Sequence, residues 1–151
     1  MRRKIEIEWS KPLSIEAFWN DVRRKEIGLY CVSRKNGGLE TLLYIGKATV
    51  SFSKRIRGHQ NDKDDWWMNE LTNSILIRLG RITHPKEYTA ADIQVAENGL
   101  IYEMKPVGNI KQVNQYTYNY KNSHGNMVGL AVIENKGNKL LRSTIDMYEQ
   151  E

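Results

Sequence analysis

The chain has 151 residues, 40% of them hydrophobic, with 23 Lys and Arg against 18 Asp and Glu for a net charge of +5. That length suits one well-cored domain rather than two, and the basic balance suits a polyanionic partner. A single cysteine, Cys31, excludes an intrachain disulfide and fits a cytoplasmic location, and no apolar run approaches the length of a membrane span.

The opening M-R-R-K-I-E-I-E-W carries no apolar stretch of the kind a secretory signal needs. Ile5, Ile7 and Trp9 alternate with Glu6 and Glu8, the period-2 pattern of a half-buried strand. After the break at Lys11-Pro12, Ser14 to Glu26 reads as an amphipathic helix with Ile15, Phe18, Trp19 and Val22 on one face and Ser14 as N-cap. Residues 1–26 are expected to decorate and cover the sheet. Two apolar runs, Ile27–Val32 and Leu42–Ile45, flank Asn36-Gly37-Gly38, a hairpin signal. Ser51–His59 predicts a short basic helix carrying Lys54, Arg55, Arg57 and His59, and Asn61–Asp65 a polar loop. Trp66–Asn73 offers further helical turns, with at least one of Trp66 and Trp67 in the core.

Ser74–Ile82 is the best strand of the chain, interrupted by Arg78 and ended by Thr83-His84-Pro85. Thr89–Met104 is the best helix: Ile93, Ala96, Leu100, Ile101 and Met104 form one apolar stripe, and Thr89 with Asp92 forms a variant capping box. Gly99 inside it costs about 1 kcal/mol, so close packing against another backbone is expected there. Pro106 stops the helix. A polar loop over Asn114–Asn126 follows, then an apolar run Met127–Ile133, a turn at Asn135–Asn138, and a returning strand or short helix in Lys139–Met147. His84 and His124 read as structural or solvent-facing, and no Cys/His spacing suits zinc.

Gly28-Leu29-Tyr30 followed by Tyr44-Ile45-Gly46 resembles the signature of the GIY-YIG nuclease superfamily, with Leu in place of the more usual Ile. The resemblance runs on through Arg55 on the next helix, His59 one turn later, Glu97 inside an apolar helix, Lys105-Pro106 and Asn109. It covers roughly residues 27–109. Gly108 stands where the family commonly has Tyr, which keeps Asn114 as a rival to Asn109.

The resemblance implies an α/β (α+β) domain with a small, central, mainly antiparallel three-stranded sheet flanked by helices. The N- and C-terminal elements (1–26 and 110–151) are then additions to the 27–109 core. It further implies Mg²⁺- or Mn²⁺-dependent hydrolysis of DNA phosphodiesters. Glu97 would supply the hard oxygen ligand a divalent cation needs, with Glu103 second in line. Arg55 would meet the scissile phosphate as a permanent planar cation. A tyrosine hydroxyl would stand on the attacking water, Tyr30 first and Tyr44 beside it. A phenol can act as base near neutral pH only where cations such as Lys47 or the metal lower its pKa. His59 would orient a tyrosine or bind phosphate, and Asn109 would anchor a phosphate or hold the Arg–Tyr geometry. Gly46, Lys47, Lys54 and Arg57 complete the expected DNA-binding set.

The implied role is a restriction-type or phage and mobile-element endonuclease, which would often dimerise to cut two strands; no membrane partner is expected. The alternatives are a repair-type incision nuclease, a non-catalytic nucleic-acid-binding module on the same scaffold, and an unrelated α/β protein with a chance motif.

Overall fold

A computed structural model describes residues 3–109, 120–121, 127–128 and 131–147. In chain order the elements are β1 (Lys4–Trp9), α1 (Ile15–Trp19), β2 (Gly28–Asn36), β3 (Leu39–Ala48), α2 (Phe52–Asn61), α3 (Trp66–Asn69), β4 (Ile75–His84) and α4 (Ala90–Met104). The short pair β5 (Tyr120–Lys121) and β6 (Met127–Val128), then β7 (Val132–Lys136) and β8 (Thr144–Asp146), complete them. The class is α+β, as the sequence implies. The sheet departs from expectation: it is six-stranded and mixed, in the order β3-β2-β4-β1-β7-β8, not three-stranded.

The difference lies at the two ends of the chain. The alternation of Ile5, Ile7 and Trp9 does make a half-buried strand, but β1 is an interior strand rather than a cover. It pairs antiparallel with β4 and parallel with β7. The C-terminal run returns as β8, antiparallel to β7; Asn135 and Lys136, expected in the turn, still belong to β7, and the connection runs over 137–143. The hairpin β2–β3 turns at Gly37-Gly38 as predicted.

The predicted helix over 14–26 is two pieces: α1, N-capped by the Ser14 hydroxyl on the Ala17 amide, and a 3₁₀ turn at Val22–Lys25. Asp21 caps the second piece. An Asx-type side chain that bonds the backbone two residues on favours such an interruption over a continuous helix. The N3 carboxylate of α4, Asp92, accepts the Thr89 amide at 2.9 Å, and Arg3 pairs with the same carboxylate.

Helices cover both faces. On one, α4 buries Ile93, Ala96, Leu100 and Ile101 against Ile5, Ile7, Leu29, Ile45 and Ile133. On the other, α1, α2 and α3 bury Phe18, Phe52, Ile56, Trp67 and Met68 against Tyr30, Val32, Leu43, Ile75 and Ile77. Of the tryptophan pair, Trp67 is core and Trp66 is 41% exposed. Gly99 sits against the Met147 sulfur and Ile133 side chain, where a Cβ would fall within 2.6–2.8 Å. The close contact is thus with two side chains of the C-terminal segment and not, as expected, with another backbone. Arg78, the charge within β4, is buried and satisfied: Nη1 donates to Ser33 Oγ at 3.2 Å and the guanidinium pairs with Glu40. Among the described residues no helix is long and apolar enough to cross a membrane.

Candidate active site

Strand β3 forms one edge of the sheet, and a cleft of about 720 Å³ opens along it. Its walls come from β3 (Tyr44, Lys47), α2 (Arg55, His59), α4 (Glu97) and the segment after α4 (Gly108, Asn109), with Asp62 and Asp65 closing the α2 end. Five of the six expected catalytic residues therefore line one cavity, and the sixth, Tyr30, is sealed beneath it.

Tyr30 sits opposite Gly46 across the β2–β3 ladder, and its ring occupies the space a side chain at 46 would need. A Cβ there would lie 2.3 Å from the phenol oxygen. Gly46 thus serves by having no side chain, letting an aromatic ring fold across the strand. Tyr30 is 0% exposed. Burial, with Tyr44 alongside, holds its pKa well above the ordinary phenol value, and the nearby Arg55 offsets only part of this. The sequence reading asked for a depressed phenol pKa at Tyr30; the site raises it, because desolvation of a phenolate outweighs one half-exposed cation. Tyr44 is the tyrosine that reaches the cleft. It is half-buried and stacked on Trp67 (4.5 Å between centroids, 17° between planes), and burial raises its pKa as well.

His59 is 6% exposed and held at both ring nitrogens. Nε2 lies 2.6 Å from the Tyr30 hydroxyl, and Nδ1 lies 2.7 Å from Asp65 Oδ2. Burial pushes the imidazole pKa below its ordinary value although the Asp65 carboxylate pulls the other way. The ring is neutral near pH 7. With both nitrogens engaged, the ring takes the first of its two expected roles, the orientation of a tyrosine, and is closed to the second.

Glu97 projects from α4 toward Lys47 and Arg55. Burial raises its pKa, and Lys47, the Gln94 amide (3.2 Å) and Arg55 work against that rise. Lys47 itself is hydrogen-bonded to the Gln94 carbonyl. Among the described residues no group of three or more His, Cys, Asp or Glu forms a metal cage. A single carboxylate fits Mg²⁺ only where water and substrate phosphate complete the shell, and Glu97 beside two phosphate-seeking cations offers that arrangement.

The Asn109 side chain is spent on the backbone beside Tyr44, not left open as a phosphate anchor. Its carboxamide accepts the Ile45 amide at 3.0 Å and donates to the Ile45 carbonyl at 2.8 Å, docking the segment after α4 onto the free edge of β3. Gly108 donates to the Leu43 carbonyl at 2.6 Å, and a Cβ there would meet that same carbonyl oxygen at 2.5 Å. The glycine that departs from the family pattern is thus what lets Asn109 lie along the strand. The rival Asn114, and His124, lie outside the described residues. Arg57 stands over the Trp19 ring at 4.3 Å, away from the cleft, and Lys54 is exposed beyond the cleft wall.

Two residues of the site escaped sequence reading. Gln94, one turn before Glu97, bridges Lys47 and Glu97. Asp65 lies in a stretch that reads only as a polar loop; its one signal is the place of an N-cap just before Trp66, and its side chain caps nothing. No protein-family model, curated protein or solved structure matches this chain.

Proposed function

We propose that this protein is a metal-dependent endonuclease hydrolysing DNA phosphodiesters, similar to GIY-YIG nucleases. The observation that carries the reading is that Tyr44, Lys47, Arg55, His59, Glu97 and Asn109, from three elements and a loop, line one cleft with Tyr30 beneath it. Core packing gives no reason for so many polar side chains to meet.

In this reading Arg55 and Lys47 hold the phosphate, the first through a planar, permanently charged guanidinium and the second as a point charge. Glu97 would hold a Mg²⁺ or Mn²⁺ ion, whose chemistry when bound would be that of a Lewis acid. Tyr44 presents its hydroxyl to the attacking water. Tyr30, buried and bonded to His59, supports Tyr44 from below; the roles differ from the sequence expectation, which put Tyr30 on the water. Asn109 keeps β3 and the segment after α4 in register, so that Tyr44 and Lys47 face Glu97 across a fixed gap.

The test is cleavage of supercoiled plasmid with Mg²⁺, with and without chelator, by wild type and Glu97→Gln. The wild type should nick and the chelator should stop it. Glu97→Gln should lose cleavage while its far-UV spectrum and DNA affinity stay near wild type. Nicking by Glu97→Gln at near the wild-type rate would remove Glu97 from the metal site.

A further inference from the structure

Resting on the nuclease reading, we infer that Asp65 is a positioning residue that fixes the tautomer of His59 and, through it, the direction in which the Tyr30 and Tyr44 hydroxyls point. Asp65 belongs to no element of the family resemblance. An ionised carboxylate has no proton to give, so at 2.7 Å from Asp65 Oδ2 the Nδ1 atom of His59 must carry the hydrogen. A neutral imidazole then has a bare Nε2, and the group 2.6 Å away is the Tyr30 hydroxyl, which must donate. With its hydrogen turned to His59, the Tyr30 oxygen keeps its lone pairs for the side of Arg55 and of Tyr44, whose ring is stacked on its own at 6.0 Å. Tyr44 can then donate downward and offer its own lone pairs to a water in the cleft. One exposed-side carboxylate thus orients every hydroxyl above it.

Burial makes this arrangement hold. The Tyr30 ring is wholly covered and His59 nearly so, while the Asp65 side chain is 23% exposed. Packing on Trp67 (4.7 Å) and Tyr44 (5.0 Å) fixes the place of the His59 ring, which leaves the partner at Nδ1 to decide its tautomer. Without the carboxylate nothing selects the Nδ1–H form. With the Nδ1–H form, a proton taken from water by Tyr44 is balanced by passing the Tyr44 hydrogen to Tyr30 and the Tyr30 hydrogen to the bare Nε2 of His59; with the Nε2–H form that nitrogen is already occupied and the relay has no acceptor. Orienting carboxylates behind catalytic imidazoles act in this way, and their loss lowers turnover far more than binding.

The experiment uses the full chain, with Asp65→Asn, Asp65→Ala and Asp65→Glu, and two readouts. The first is the ¹⁵N–¹H correlation of the His59 ring, assigned against His59→Gln. Wild type should show hydrogen on Nδ1. Asp65→Ala should show a mixture, and Asp65→Asn, whose amide can donate to Nδ1, a shift toward Nε2–H. The second is plasmid cleavage: kcat should fall about 10- to 100-fold in Asn and Ala with KM little changed, and partly recover in Glu. The isosteric Asn variant keeps the test open if Ala does not fold. An unchanged tautomer in Asp65→Asn overturns the proposal, as does a shifted tautomer with undiminished kcat. A wild type inert toward plasmid overturns the nuclease reading and the catalytic half of this proposal, while the ring spectrum decides the tautomer half on its own.

Discussion

At the scale of single residues, the two tyrosines of the hairpin hold different positions and so predict different failures. Tyr30→Phe leaves the buried Nε2 of His59 without a donor, a loss of about 1–3 kcal/mol that urea unfolding will read directly. Tyr44→Phe keeps its stack on Trp67, so stability should stay within about 0.5 kcal/mol of wild type while cleavage is lost. If Tyr44→Phe cleaves normally, the hydroxyl at the cleft is not on the water. Gly46→Ala forces a methyl into the Tyr30 phenol and should cost about 1–3 kcal/mol by overpacking. Sequence made some of this legible. Glycines and tyrosines at the two ends of a hairpin can be seen to pair, because antiparallel register follows from the turn. It could not reveal which tyrosine ends up under the other, since a bulge between Val32 and Ser33 shifts the register and both rings are equally at home on a strand. Asp65 was invisible for a simpler reason: an aspartate in a polar loop has the same local signature with or without an imidazole beside it.

Among the elements, α4 was readable because its apolar stripe repeats every turn, and β2, β3 and β4 because apolar runs end at turns or breakers. The partner of β1 was not readable. Lys4 pairs with Val132 and Glu8 with Lys136, parallel contacts between opposite ends of the chain that no local pattern encodes. The destination of Gly99 was hidden likewise, since a small residue on a helix announces a close neighbour but not which one. Gly99→Ala should therefore loosen β7 and β8 rather than the hairpin, with a loss of about 1–3 kcal/mol. Amide exchange should show faster exchange at Ile133 and Ile145; faster exchange confined to Cys31 and Ile45 would contradict the observed packing.

For the whole molecule, charge and proton linkage give two expectations. Two phosphate contacts through Lys47 and Arg55 imply about a tenfold loss of DNA affinity for a fourfold rise in salt, read by titration. Affinity indifferent to salt would remove those cations from the interface. As to pH, the His59 value is lowered in the fold, so between that value and 6.5 the unfolded chain binds more protons than the folded one. Stability from this group is complete above 6.5 and declines as pH falls through the window. Glu97, raised above 4.5, works with the opposite sign, so Glu97→Gln should expose the His59 decline more cleanly in urea midpoints from about pH 7.5 to 5. The docking of Asn109 and Gly108 on Ile45 and Leu43 has a colloidal consequence too. A bare edge strand is a template on which another molecule can grow the sheet. Here part of that template is filled from within by one side-chain amide and one glycine N–H, so Asn109→Ala should make the protein self-associate through β3, visible as concentration-dependent light scattering before any unfolding.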